Sequence, residues 1–99
     1  MRVLKIYLKL WKYNIMRIVF HKNFKKSISK QSRKTQIQFK EKFKIFQHDR
    51  FHYSLNNHAL SGKLKGVRSI NISSDVRVHY LETSNEIILI NIGTHSQLY

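Results

Sequence analysis

Cysteine and proline are both missing from this 99-residue chain, glycine occurs three times, and only five residues are acidic. The absence of cysteine excludes disulfides and thiolate metal sites, and it is compatible with a reducing cytoplasm, the expected location. Without proline, repeats or a low-complexity linker nothing divides the chain further, and its length allows at most one domain. Long apolar runs are missing too. Lys5, Lys9 and Lys12 interrupt the opening MRVLKIYLKLWKYNI, so no run approaches the roughly 20 apolar residues needed to span a membrane, and no small-residue cleavage site follows.

What is abundant is positive charge. Nineteen Lys and Arg give a formal charge of +14, and residues 1 to 40 hold twelve basic residues and no acid. A surplus this large repels itself, so a polyanionic partner is expected: nucleic acid first, an acidic protein second, an anionic membrane surface third. With 41% hydrophobic residues, including six Phe, five Tyr and one Trp, the chain can also bury a modest core.

The opening fifteen residues read either as an amphipathic helix, with Leu4, Tyr7, Leu8 and Trp11 opposite a lysine stripe, or as an extension outside the domain. The second reading is preferred, because Met16 opens a fresh segment, MRIVFHKNF; the expected division is therefore an extension at 1–15 and a domain at 16–99. Ile18-Val19-Phe20 reads as a strand, and Phe24 and Ile28 recur at helical spacing. Ser32 suits an N-cap for a second helix, with Phe39, Phe43 and Phe46 forming its core-facing stripe. The stretch from His48 to Gly66 carries no sustained period and reads as a loop.

Beyond Gly66 the period becomes strand-like. Ile70 and Ile72 alternate with Ser69 and Asn71, and Val76, Val78 and Tyr80 alternate with Arg77 and His79 after a turn at Ser73-Ser74-Asp75. A second turn leads to Glu86–Ile92, whose nearly continuous Ile and Leu suit a central strand buried on both sides. The fold class is therefore α+β: a short N-terminal strand, a two-helix hairpin, and a three-stranded antiparallel meander packed against the helices. The sheet's other face would present Ser69, Asn71, Arg77, His79 and Asn91, with Thr94, His95 and Tyr99 of the tail beside it.

Six histidines invite a metal site, but His48 and His52, four apart, have no third ligand at a recognised offset, so no metal is expected. No nucleophile elbow points to Ser-His-Asp hydrolysis. Metal-free RNA cleavage fits better. It needs a base for the 2′-hydroxyl, a cation for the phosphorane and an acid for the leaving 5′-oxygen, and histidine, aspartate, tyrosine and arginine can supply these without a cofactor.

The residues that would do so fall in a recognisable pattern: His-x-Leu-x-Gly at His58, Leu60 and Gly62; Lys65-Gly66; Asp-x-Arg-x-x-Tyr at Asp75, Arg77 and Tyr80; and the closing Gly-Thr-His-x-x-Leu-aromatic from Gly93 to Tyr99. This stretch, Leu55 to Tyr99, resembles the C-terminal half of RelE-superfamily toxins, particularly the YafQ-like mRNA interferases of type II toxin–antitoxin modules. With Met16 to Arg50 fitting the family's strand and helical hairpin, the resemblance covers about residues 16–99. It implies a RelE-like fold, a growth-arresting endoribonuclease that cleaves mRNA in the ribosomal A site, and neutralisation by a cognate acidic antitoxin, with no small-molecule cofactor. By the same resemblance His58 and His95 match catalytic positions, Asp75 a catalytic acid, Tyr99 an aromatic that orients the base or substrate, and Arg77 the phosphate-stabilising arginine of the wider RelE group. Asn71 departs from the pattern, standing where YafQ-like toxins have another histidine; it can orient RNA but cannot shuttle protons.

Plainer readings stand beside these. His58 is able to brace its loop, Asp75 is a natural turn residue, and Arg77 can simply offset charge. Tyr80 is expected in the core and His79 as an exposed bystander. Lys63, Lys65 and Arg68 are expected to position phosphates. Two other functions share the fold and the charge: a ParE-like gyrase inhibitor, and a catalytically weakened relative that binds RNA and antitoxin without cutting.

Overall fold

The computed structural model describes residues 7–11 and 14–99, with side chains from Met16 onward. Two strands open it, β1 (Tyr7–Trp11) and β2 (Asn14–Phe20), paired antiparallel with Tyr7 opposite Ile18 and Trp11 opposite Asn14. Helices α1 (Lys22–Lys30) and α2 (Arg33–His48) follow, then the two-residue strand β3 (His58–Ala59), β4 (Val67–Asn71), β5 (Val76–Glu82), β6 (Glu86–Thr94) and the single turn of helix α3 (His95–Leu98). One sheet holds all six strands in the order β1-β2-β6-β5-β4-β3. Among the described strands β2 and β6 alone run parallel, and the helical hairpin is the crossover that this pairing requires.

The expected strand, helical hairpin and three-stranded meander are all present. Corrections concern the margins. Tyr7–Trp11 is a strand rather than part of an amphipathic helix: the unpaired edge of β2 offers its backbone a ladder, which outweighs the helical spacing of the side chains. The remainder of the lysine-striped opening, residues 1–6, 12 and 13, lies outside the described residues. The expected loop between α2 and β4 contains β3 and two turns of 3₁₀ helix, Tyr53–Leu55 and Gly62–Leu64.

Both helices start on side-chain caps. His21 Nδ1 accepts from the Asn23 amide at 3.0 Å, and Ser32 Oγ from the Thr35 amide at 3.1 Å. Each satisfies a donor that the first turn of a helix leaves without an intrahelical partner. Phe24 and Ile28 of α1 and Phe39, Phe43 and Phe46 of α2 are buried against the sheet. Their rings form a file with 5.2 Å between Phe24 and Phe39, 5.4 Å between Phe39 and Phe43, and 5.3 Å between Phe46 and Tyr80 in an edge-on contact. Ile70, Val76, Val78, Ile87, Leu89 and Ile92 complete the core from the sheet side.

Strand β6 is central as expected, yet it is not buried on both faces. Ile87 and Leu89 are buried whereas Ile88 and Ile90 are half-buried, because the helices cover one face only. The pairing of β5 with β6 slips between His79, opposite Asn91, and Tyr80, opposite Leu89, so Ile90 is an extra residue in a β-bulge. The bulge changes the alternation. Asn91 stands opposite His79, in the register of the polar face, and its Oδ1 accepts a hydrogen bond from Ser27 Oγ of α1 at 2.6 Å, while Ile92 beside it is buried in the core.

Candidate active site

The face away from the helices is polar because β4 and β5 place their hydrophilic residues there in register. His58 of β3 lies opposite Ser69 of β4, which lies opposite His79 of β5. Directly paired residues share a face, so the two histidines sit on one side of the sheet, two strand spacings or about 10 Å apart along the backbone. The next row pairs Asn71 with Arg77 and Arg77 with Gly93. All of these expected polar-face residues are therefore neighbours, and the tail joins them.

Gly93 explains how. It is buried, and a Cβ built on it would stand 2.8 Å from Gln97 Oε1 and 3.2 Å from Gln97 Cβ, so α3 lies directly over a backbone that only glycine keeps clear. A capping box starts the reversal. Thr94 Oγ1 accepts from the Gln97 amide at 3.4 Å, and Gln97 Oε1 accepts from the Thr94 amide at 2.8 Å. One helical turn then brings the Tyr99 amide to the His95 carbonyl at 2.9 Å.

The outcome is a ladder of three rings. His95 and Tyr99 stack with centroids 4.3 Å apart and planes 22° apart; Tyr99 meets His79 edge-on at 4.9 Å and 76°, with its hydroxyl 2.8 Å from His79 Nε2. His79, expected to be an exposed bystander, is 3% exposed and bonded to the last side chain of the chain. Burial lowers its pKa below the ordinary value, and the charge of His58 across β4 lowers it further, so the ring is neutral at pH 7. A signal for it was present: His79 has the parity of Arg77, on a strand whose small neighbours Ser69 and Asn71 leave room for a docking segment.

His58 is exposed, with Nδ1 2.8 Å from the Asn56 carbonyl. The carbonyl can only accept, so Nδ1 carries the proton and Nε2 is the atom able to exchange one. Asn56 is left-handed, with φ 44°, which presents that carbonyl to the ring. Arg77 holds the β4–β5 turn, donating from Nη1 to the Ser73 and Val76 carbonyls at 3.0 and 3.2 Å and from Nη2 to the Ser74 carbonyl at 3.1 Å. Asp75 is exposed in the same turn and accepts from Ser73 Oγ at 3.2 Å. Since Val76 is opposite Thr94 and Arg77 opposite Gly93, the turn borders the start of α3 and hence His95. The structure thus brings His58, His79, His95 and Tyr99 to one face, with Asp75 and Arg77 at its end, each held by its own turn.

Lys63 lines a cleft of about 350 Å³ with Ser61, Leu64, Leu98 and Tyr99, and Lys65 is exposed at the end of the same 3₁₀ turn. Arg68 is elsewhere. It is opposite Tyr80 on the helix side, its Nε donates to Asn57 Oδ1 at 2.9 Å, and its guanidinium lies 5.4 Å from the Phe51 ring centre. Strand parity separates it from the lysines it was grouped with. Ser69 Oγ and Asn71 Oδ1 are buried without a hydrogen-bond partner among the described residues. No group of three or more His, Asp or Glu side chains suited to holding a metal ion occurs among the described residues, and no described helix is long and apolar enough to cross a membrane.

The family model of the bacterial YafQ toxin of type II toxin–antitoxin systems matches residues 16–99. The chain belongs to that family. YafQ membership agrees with the solved structures of similar fold. YafQ from E. coli superimposes with a TM-score of 0.67 at 17% identity, covering 85% of this chain and 98% of that one. The YafQ chain of the E. coli DinJ–YafQ toxin–antitoxin complex gives 0.71 at 18%, covering 85% and 97%. A copper-bound mutant toxin from Helicobacter pylori gives 0.63 at 24%, covering 94% and 100%. At these identities the structures establish a common fold. Comparison with curated protein sequences gives no match.

Proposed function

We propose that this YafQ-family toxin is a ribosome-dependent endoribonuclease that cleaves mRNA by acid/base chemistry and is held inactive by a cognate acidic antitoxin. The observation that carries the reading is the docked tail: an exposed imidazole, His95, is stacked on Tyr99 over a polar face that also bears His58, beside the turn of Asp75 and Arg77. A gyrase-binding role has no use for an acid/base group fixed in this way.

In the proposed reaction His58 Nε2 takes the proton of the 2′-hydroxyl, whose oxygen attacks the adjacent phosphorus in line. The bond to the 5′-oxygen breaks, and His95 protonates the leaving oxygen, leaving a cyclic phosphate. Arg77 retains Nε–H and one Nη2–H beyond its turn contacts, enough to grip a phosphate oxygen as charge gathers in the phosphorane. Asp75, in the turn that borders His95, offers a negative charge to the His95 imidazolium before it gives up its proton. Tyr99 offers its ring to an unstacked base, while Lys63, Lys65 and Asn71 hold the strand. Arg68 faces the other side and is left with long-range attraction.

The formal charge of +14 supports both partners, since ribosomal RNA and an acidic antitoxin each complement it. Toxin–antitoxin complexes among the structural relatives, DinJ–YafQ from E. coli and RelBE from Mycobacterium tuberculosis, make the second partner concrete. Mapping message ends after brief induction tests the proposal. New 5′ ends within translated codons are expected from the native chain and not from His95→Ala or Asp75→Asn, both still able to bind antitoxin. Growth arrest with intact messages would instead favour the gyrase-inhibiting alternative, and folded protein that binds RNA without cutting would favour a weakened relative in which Asn71 breaks the proton relay.

A further inference from the structure

His79 takes no part in the proposed proton transfers, yet it is the residue on which the tail rests. A strand position on the polar face is an expensive place for a buried imidazole unless its ring nitrogen is satisfied, and the hydrogen bond shown for that ring is with the Tyr99 hydroxyl at 2.8 Å. The end of a chain frays unless something ties it down. The capping box fixes Thr94 and Gln97, but it does not reach the Tyr99 ring. That ring is oriented by the edge-on contact and hydrogen bond with His79 on one side and the stack with His95 on the other.

We propose that His79 is a positioning residue: by holding the phenol of Tyr99 it fixes the ring plane against which the His95 imidazole stacks, and so sets the orientation of both toward RNA. The specific requirement is for an imidazole acceptor at position 79 and a hydroxyl at position 99. An apolar pair would pack as well but leave the Tyr99 ring free to turn about its own axis and to slide. The neutral form of His79 suits this, because an uncharged Nε2 accepts from the phenol while Nδ1 keeps the proton. The groups able to perturb it are His58 across β4, Arg77 two residues along the same strand face, and His95 beyond Tyr99.

The inference rests on the nuclease reading, and its test separates the two. Tyr99→Phe keeps the ring and removes the hydroxyl; His79→Leu keeps the volume and removes the acceptor; His79→Gln returns an acceptor near the position of Nε2. With programmed ribosomes as substrate, each of the first two is expected to lower kcat between about tenfold and a hundredfold with KM little changed, as misorientation of a catalytic group does. The double variant Tyr99→Phe with His79→Leu is expected to be no worse than either alone, because both remove one contact, and His79→Gln is expected to recover part of the loss. Effects that multiply, or a fully active Tyr99→Phe protein, would overturn the proposal. ¹⁵N resonances of the imidazoles report the clamp without any turnover: Tyr99→Phe should move both the His79 and His95 signals. If they stay in place the clamp is absent, and if they move while even the native protein cuts no RNA, the clamp stands and the nuclease reading falls.

Discussion

Tyr99 ends the chain and is half-exposed, at 49%, but its hydroxyl is anchored to His79, which is 3% exposed. That pairing gives stability a defined pH dependence. His79 in the folded protein titrates below its ordinary value, so between the two values the unfolded chain binds the proton more readily than the folded one. Its contribution is complete above the unfolded pKa of about 6.5 and is lost as pH falls below it. The thermal midpoint is therefore expected to drop between about pH 7.5 and about pH 5, with a shallower drop in His79→Leu; parallel curves would show that other groups control acid stability. Gly93 makes a second residue-scale prediction. Alanine there meets Gln97 Oε1 at 2.8 Å, so Gly93→Ala should disrupt the capping box, cost on the order of 1 kcal/mol in denaturant unfolding, and detach the His95–Tyr99 stack in NMR spectra. Single-residue placement was only partly legible in the sequence. Simple alternation put Ser69, Asn71, Arg77 and His79 on one face correctly. It gives no warning that Ile90 forms a bulge, without which Asn91 would share the side of the buried Ile87 and Leu89, and no sequence period says that a terminal ring returns to bury His79.

Elements were read best where one face is continuously apolar. The phenylalanines of α2 recur at helical spacing and all three are buried, and the Ser32 cap was visible as a serine standing just ahead of that pattern. Replacing Ser32 by Ala leaves the Thr35 amide without its cap and also removes the 3.1 Å contact between the Ser32 and Thr35 hydroxyls. The expected loss is about 1 kcal/mol, measured by urea unfolding with an unchanged slope; an unaffected midpoint would mean that solvent serves the first turn equally well. Strand β3 was not legible, since two residues have no period. It exists because β4 has an open side, and it matters because it delivers His58 to the row of Ser69 and His79. Elements made by pairing rather than by pattern are the ones that sequence periodicity misses.

For the molecule as a whole, charge and topology act together. The helical hairpin closes a parallel β2–β6 pair, and β1 covers the outer side of β2. The YafQ family match begins at Met16, inside β2, so we expect a chain starting at Met16 to retain the fold and the toxic activity. Its uncovered β2 would offer free backbone donors and acceptors, and concentration-dependent association in sedimentation is expected. Loss of the fold on truncation would instead make β1 an integral strand of the domain.

The extra residue at Ile90 has a longer reach than its local kink. Side chains in a strand point alternately up and down, so every position downstream of an insertion changes sides relative to a regular ladder. The bulge lies four residues before Thr94, where the backbone doubles back. Pairing Ile90 into a regular ladder would turn Asn91 toward the core and Ile92 outward, whereas deleting Ile90 should leave Asn91 to Thr94 opposite the same β5 residues and His95 on the same surface. One unpaired isoleucine thus lets Leu89 and Ile92 both reach the core while Gly93 stays beneath the returning tail.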